Sequence, residues 1–317
     1  MSEQGQKGLS RRWWVAGAGV TGLAGAAYSI YQAAPSFWRQ YRSEMQRPIR
    51  PPQHAPDPRR WGDKGLHAAW LGHSTVLLRV DGITILTDPV FSERAGLNFG
   101  PMTLGVKRLV APALSLEKLP RVDLIVLSHA HMDHFDIPSL RALENRRTEV
   151  ITAPGTIDLL RPERYRSARE LRWREEATAA GVRLRGQQVN HWGARMRSDT
   201  WRGYAGYAIE AGKYRILFGG DTADTHYFTE LRSLRGFDLA IMPIGAYNPW
   251  IRYHCTPEQA WRMANEASAH YFLPVHHRTF ALGREPEREP VERLFNAARA
   301  GHERIVWQAI GQEFHLS

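Results

Sequence analysis

The sequence holds one dense cluster of residue types that bind metal ions, made up of His129, His131, Asp133 and His134. Imidazole nitrogens and carboxylate oxygens are ligands of zinc, which holds them at roughly 2.0–2.2 Å. Alternating residues of an extended segment point to the same side, so His129 and His131 can bind one ion. Asp133 and His134 then turn toward a neighbouring ion. The cluster therefore predicts a dinuclear metal site that activates water for hydrolysis.

A short, wholly apolar run, Leu124–Leu127, comes directly before this cluster and is typical of a strand buried on both faces. The cluster would thus occupy a loop at the carboxyl end of a buried strand, where α/β proteins place ligand sites. Four ligands do not fill two ions, so more are expected where other strands end. His191, Asp221 and His276 each follow a strand-like run. His277 competes with His276, and because neighbours on an extended segment point opposite ways, only one of them is expected to bind.

The elements that position these residues alternate between strand-like and helix-like runs. Asp81-Gly82 lies between two apolar runs and predicts a β-hairpin, because both turn positions favour positive φ. Thr256–Ala267 begins with a helix start signal, Thr-Pro-Glu, and Ile137–Asn145 is a second predicted helix. Further strand-like runs are Glu149–Ala153, Gly181–Val189, Tyr204–Glu210, Tyr214–Gly219, Leu239–Pro243 and Tyr271–Val275. This interleaving predicts an α/β fold.

Several other polar residues are open to more than one interpretation. Asp88 ends the run Ile83–Thr87 and precedes Pro89, so it either faces the site or caps a turn. The densest basic stretch, Arg161–Arg174, is interpreted as the exposed face of a helix. Six other histidines lack a strand-end pattern and are interpreted as structural or exposed: His67, His73, His226, His270, His302 and His315.

The composition fits a folded protein with anionic partners. Of 317 residues, 43% are hydrophobic and 23% are charged, which excludes global disorder and fits one large α/β domain. The formal net charge of +10 attracts anionic lipids, anionic substrates or nucleic acid. The single cysteine, Cys255, rules out a disulfide within the chain, and no motif marks it as a nucleophile.

The N-terminal part of the chain differs in character from the rest. Residues 13–34 carry no charge and approach the ~20 residues that a membrane-spanning helix needs. Ser10–Val15 resembles a twin-arginine export signal. We therefore expect residues 1–36 to be an export signal or membrane anchor, which would make the protein membrane-associated or exported (to the periplasmic side, if bacterial). Residues 37–60 are expected to be a basic, proline-rich linker, and residues 61–317 the hydrolase domain.

The order His-x-His-x-Asp-His, then His, then Gly-Asp, then His resembles the metallo-β-lactamase superfamily. Five segments resemble the branch that contains N-acylphosphatidylethanolamine-hydrolysing phospholipase D: Trp70–Thr75, Leu86–Pro89, Gly219–Thr222, Pro243–Tyr247 and His276–Leu282. The resemblance covers roughly Trp61–Leu282. It implies a four-layer αβ/βα sandwich that holds two zinc ions per chain.

The resemblance also implies a role for each candidate residue. His129, His131 and His191 would hold the first zinc; Asp133, His134 and His276 would hold the second; and Asp221 would bridge the two. It thereby selects His276 over His277. His254 lies where the branch carries a substrate-contacting histidine. We expect Asp133 and His254 to be catalytic, Asp133 by orienting the nucleophile and His254 by stabilising the developing anion or protonating the leaving oxygen.

The function that the resemblance favours is hydrolysis of N-acylphosphatidylethanolamine or a similar phospholipid by a metal-bridging hydroxide, with a membrane surface as partner. The alternative is a lactonase or another small-ester hydrolase on the same dinuclear site. A nuclease and a non-enzymatic, membrane-tethered binding protein rank lower, because the sequence contains no appended nucleic-acid-binding module and lacks none of the metal ligands. Other divalent transition metals are compatible with the same ligands.

Overall fold

The computed structural model describes residues 35–100, 102–233 and 235–317. The described residues divide into two units, with the boundary between Pro48 and Ile49. The predicted export signal or anchor lies outside the described residues except at its last two positions, where helix α1 (Pro35–Gln46) begins. None of the helices in the described ranges has the length and apolar character needed to cross a membrane.

The second unit alternates strands and helices, as the sequence predicts. Its strands are β1 (Leu66–Gly72), β2 (Thr75–Val80), β3 (Ile83–Thr87), β4 (Arg94–Phe99), β5 (Met102–Lys107), β6 (Leu124–Leu127), β7 (Glu149–Thr152), β8 (Ser167–Glu170), β9 (Glu176–Ala179), β10 (Val182–Gln187), β11 (Gly206–Ala211), β12 (Tyr214–Phe218), β13 (Phe237–Pro243), β14 (Ala269–Val275) and β15 (Glu313–Leu316). Its helices are α2 (Ile137–Ala142), α3 (Tyr247–Trp250), α4 (Pro257–Glu266) and α5 (Glu289–Ala298). Helix α4 begins with the capping box of Thr256 and Gln259.

The strands form two large sheets and one separate hairpin. The first sheet has the order β15-β1-β2-β3-β6-β7-β8, the second has the order β14-β13-β12-β11-β10-β9, and β4 pairs only with β5. The chain starts as an antiparallel meander, in which the β2–β3 turn places Asp81 at φ 45° and Gly82 at φ 86°. From β3 through β6 and β7 to β8 the strands are parallel. Their carboxyl ends therefore meet at one edge of the sheet.

Alternating side chains of the second sheet reach two different hydrophobic clusters. Leu239 and Ile241 of β13 pack with first-sheet residues such as Leu77 in one cluster. Ala240 of β13 packs in another cluster with Met263 of α4, as does Leu294 of α5. Because successive side chains of a strand point to opposite faces, one cluster lies between the sheets and the other lies beneath the helices. The predicted metallo-β-lactamase-type α/β fold, with sheets flanked by helices, is confirmed.

Two features differ from the sequence prediction. The second unit starts at Ile49 rather than Trp61, because backbone hydrogen bonds join Arg50 to Leu109 and Ala111, and His54 to Ile310. Most of the predicted linker after α1 is thus part of the folded domain. The predicted helix within residues 161–174 is wrong: this segment contains a 3-10 turn and strand β8, which forms the parallel edge of the first sheet.

Candidate metal centre

The predicted ligands meet where four strands end. The loop from β6 to α2 carries the cluster His129–His134, and the segments after β10, β12 and β14 carry His191, Asp221 and His276. All of these side chains lie within the second unit and are buried or largely buried. The structure therefore brings together every residue that the sequence nominates as a ligand, while their role in binding metal stays a prediction.

Three imidazole nitrogens converge on the first point of the site. His131 Nδ1 lies 2.9 Å from His129 Nε2 and 3.2 Å from His191 Nε2. Nitrogens on a tetrahedral zinc ion with bonds of 2.0–2.1 Å are about 3.3–3.4 Å apart. The three nitrogens thus stand at slightly less than the spacing that one bound ion would set.

A carboxylate and two more imidazoles converge on the second point. Asp133 Oδ2 lies 3.5 Å from His134 Nε2 and 3.4 Å from His276 Nε2. Asp221 Oδ2 lies between the two points, 3.1 Å from both His134 Nε2 and His276 Nε2, and 3.9 Å from both His129 Nε2 and His191 Nε2. Asp221 is thus the residue placed to contact an ion at either point.

Hydrogen bonds on the far side of three of the rings set which nitrogen faces the centre. The Nδ1–H of His191 donates to the carbonyl oxygen of Tyr253 at 2.8 Å, so its Nε2 carries the lone pair. Asp88 accepts from the Nδ1–H of His134 at 2.6 Å and from the hydroxyl of Ser128 at 2.5 Å. That hydroxyl oxygen accepts in turn from the Nδ1–H of His129 at 2.9 Å.

When its rings are neutral, the resulting centre presents lone pairs to lone pairs. Both carboxylate oxygens of Asp221 are buried without a hydrogen-bond partner among the described residues, as are Nε2 of His134 and Nε2 of His276. Buried polar atoms without partners are costly, and a cation is what satisfies several acceptors that face one another. These residues therefore fit a divalent metal ion, and N and O donors of this kind suit zinc.

Comparison with known proteins agrees with this geometry. A family model described as "Beta-lactamase superfamily domain" matches residues 84–277. The chain belongs to the metallo-β-lactamase superfamily. It is 36% identical over 280 residues to "Uncharacterized protein Rv0906" of Mycobacterium tuberculosis, covering 86% of this chain and 74% of the relative. It is 30% identical over 250 residues to "N-acyl-phosphatidylethanolamine-hydrolyzing phospholipase D 1" of Caenorhabditis elegans, covering 73% and 69%.

A solved structure supports the fold of this superfamily member. The metallo hydrolase Igni18 from Ignicoccus hospitalis superposes with a TM-score of 0.61 at 19% identity, covering 80% of this chain and 99% of that structure. At that identity the likeness concerns the fold alone. Together with the family match and the geometry of the centre, the comparisons identify the chain as a metal-dependent hydrolase with a candidate His/Asp metal site.

Charges within the centre compensate each other. Burial alone would raise the pKa of Asp221, but the imidazoles of His134 and His276 hold it well below its usual range. Burial lowers the pKa of His276, and the carboxylates of Asp221 and Asp133 outweigh burial and raise that pKa to about 9. Protonated imidazoles therefore balance the carboxylates, and a bound cation would replace those protons.

His73 was interpreted from sequence as structural or exposed, and the structure corrects this: it is buried in the metal centre. Its Nε2 lies 2.8 Å from Asp133 Oδ2. Its backbone N–H donates to Thr279 Oγ1 at 2.6 Å, and its carbonyl accepts from the N–H of His276 at 3.1 Å. His73 thus links the β1–β2 turn by hydrogen bonds to Asp133 and to the segment that carries His276. The only signal for it was its place in the motif Trp70–Thr75.

The structure also resolves the two alternatives that the sequence left open. Asp88 faces the site, since its carboxylate accepts from Ser128 and His134 as described above. His276 points into the centre, while His277 stacks on Trp70 with ring centroids 4.6 Å apart. The opposite directions of these neighbouring histidines agree with the alternation expected of an extended segment.

A cavity of about 400 Å³ opens beside the centre, and its lining combines site residues with aromatic rings. Asp133, Asp221 and His254 line it. His254 Nδ1 lies 3.7 Å from Asp221 Oδ2. Burial lowers the pKa of His254 to about 4, so that its ring is neutral at pH 7 and can donate one N–H to a ligand. Both predicted catalytic residues thus reach the space that a substrate would occupy.

Proposed function

We propose that this metal-dependent hydrolase is a phospholipase D-type phosphodiesterase that acts on N-acylphosphatidylethanolamine or a similar phospholipid, with two zinc ions in its centre. The observation that carries the proposal is the aromatic lining of the cavity over the metal site. Trp192, Trp250, Tyr253 and Leu282 line it together with the ligands, and more of its lining surface is apolar than polar.

These aromatic side chains are unusually exposed for their size. Trp192 is 44% exposed, Trp250 50% and Tyr253 37%. Large apolar side chains that stay exposed next to a site mark a surface for an apolar ligand. Burial of acyl chain contributes about 0.8 kcal/mol per methylene group. The rings are placed to hold the chains of a lipid whose phosphodiester reaches the centre, and a membrane surface is the partner this predicts.

The residues of the centre have separate roles in this proposal. Bound zinc would supply Lewis-acid charge and lower the pKa of a water nucleophile. Asp133 accepts a hydrogen bond at the centre and is held by His73, so it can orient the attacking water. The neutral ring of His254 can donate its N–H to the oxyanion or to the leaving oxygen. No serine or cysteine nucleophile is needed: Cys255 is buried, and burial raises the pKa of its thiol.

The test uses the full chain, loaded with zinc, and N-acylphosphatidylethanolamine in mixed micelles. The expected products are phosphatidic acid and N-acylethanolamine, followed by mass spectrometry. Asp133→Ala removes a ligand and should abolish product. The matched control is Asp123→Ala, because Asp123 caps the opposite end of β6 through the N–H of Thr84 and should leave turnover within about twofold.

The outcomes separate the substrate from the reaction class. Metal-dependent product that disappears in Asp133→Ala supports the proposal. Absence of product from protein that holds two metal ions refutes the phospholipid assignment and leaves the metal-dependent hydrolase in place. Lactones and small esters are then the next substrates to test, because the alternative hydrolase would use the same centre.

A further inference from the structure

One cation in the cavity has no role in the site described so far. Arg195 lines the same cavity as Asp133, Asp221 and His254. One nitrogen, Nη1, donates to the carbonyl oxygens of Ala130 and Phe135, both at 2.8 Å. These carbonyls belong to the loop that carries the metal ligands, so Arg195 is held rigidly against the centre.

Arg195 forms no ion pair within the part of the chain that the structure describes. No carboxylate oxygen of the described residues lies within 4.0 Å of its nitrogens. Three carboxylates favour the charged form of Arg195 from beyond that distance, and each has another partner. Asp136 accepts from Ser92 Oγ at 2.7 Å, Asp199 accepts from Arg202 Nε at 2.6 Å, and Asp133 Oδ2 lies 2.8 Å from His73 Nε2. Burial lowers the pKa of Arg195. A largely buried cation without a counterion is unfavourable for the free protein, which is the behaviour expected of a group that an anionic ligand completes.

The remaining donors of Arg195 are available to that ligand. Nε and Nη2 form no hydrogen bond with any described residue, and they are not sealed from solvent. The guanidinium therefore has one nitrogen fixed by the metal loop, while its other donors are open to solvent on a residue that lines the cavity. A planar pair of N–H donors matches two oxygens of a phosphate group.

We propose that Arg195 forms an anion-binding subsite beside the metal centre, which holds a non-bridging oxygen of a phosphodiester during hydrolysis. The subsite selects singly charged phosphodiesters over neutral esters and lactones, because a neutral substrate leaves the guanidinium unpaired. This proposal rests on the proposed function for the identity of the reacting lipid. The binding of a phosphate anion can be tested without that lipid.

The first test is calorimetric titration of the zinc-loaded full chain with inorganic phosphate. Arg195→Met should raise the dissociation constant about tenfold to a hundredfold, the loss expected for a hydrogen-bonded ion pair. Arg195→Lys keeps the positive charge but lacks the planar pair of donors. Its dissociation constant for phosphate should lie between those of the unmodified chain and Arg195→Met. The matched control is Arg197→Met, which removes an exposed arginine from the same loop and should change the dissociation constant less than twofold. Zinc content is measured for each variant.

Three results would overturn the subsite: no phosphate binding by the unmodified chain, unchanged binding by Arg195→Met, or equal weakening by Arg197→Met.

A purely structural role of Arg195 is tested with two substrates that share a leaving group, bis(p-nitrophenyl) phosphate and p-nitrophenyl acetate. We expect Arg195→Met to raise KM at least tenfold for the charged diester alone, with kcat within about threefold. An equal loss on both substrates would show a disturbed metal loop instead. If the chain fails to cleave N-acylphosphatidylethanolamine but phosphate binding still depends on Arg195, only the lipid assignment fails.

Discussion

Asp88 offers the sharpest test of how the centre is held, because its carboxylate touches no predicted metal position. Oδ1 accepts from the N–H of Ser128 at 2.8 Å, and Oδ2 accepts from Ser128 Oγ and from Nδ1 of His134. In Asp88→Asn the amide group must face a donor in either orientation. With its nitrogen toward His134, the ring is driven to the tautomer that carries a proton on Nε2, where the lone pair is needed.

The expected cost follows from these contacts. A hydrogen bond to a charged group contributes about 1.5–3 kcal/mol, and at least one is lost. Mutation of the hydrogen-bond partner of a ligating histidine typically lowers metal affinity 10–100-fold. We therefore expect Asp88→Asn to weaken zinc binding by about 10–100-fold, measured by competition with a chromophoric chelator. Asp123→Asn applies the same chemical change at the other end of β6 and should have little effect. A folded Asp88→Asn protein with unchanged zinc affinity would refute the tautomer argument.

Two further predictions concern protons and backbone at the same centre. The raised pKa of His276, about 9, keeps its ring protonated at pH 7 in the metal-free protein, so zinc must displace that proton. Apparent zinc affinity should therefore rise from pH 7 to about pH 9 and level off above, and affinity that does not change with pH over that range would contradict the assignment. Gly220 has φ 58°, and a Cβ there would lie 2.8 Å from Ser128 Cβ. Gly220→Ala should lower the free energy of unfolding by about 1–3 kcal/mol in urea. Gly62→Ala should be nearly neutral, because the added Cβ would lie 4.0 Å from the nearest atom, the backbone nitrogen of Lys64.

The fold and the predicted ligands could be derived from sequence because both depend on local patterns. Asp81-Gly82 specifies its hairpin through two positive φ angles, whatever the rest of the chain does. His191, Asp221 and His276 each follow an apolar run, and strand ends that meet at one edge bring such residues together. The helix predicted for the basic segment 161–174 was wrong because that prediction also relied on the local pattern alone. Its local charge pattern contains no sign of the parallel partner β7, whose hydrogen bonds make part of it the strand β8.

The residues that sequence patterns missed act through contacts between distant segments. In the sequence, His73 lies far from the cluster His129–His134. Its place in the site depends on the turn after β1 and on Asp133, 60 positions further along the chain. Asp88 has the same dependence on Ser128 and His134. Ligand residues can be recognised by type and spacing, since a metal requires particular donor atoms. The groups that set each ring's tautomer only need to supply an acceptor, which many side chains and every backbone carbonyl can do, as Tyr253 does for His191. Chemical type alone therefore cannot identify them, and the fold decides which acceptor is used.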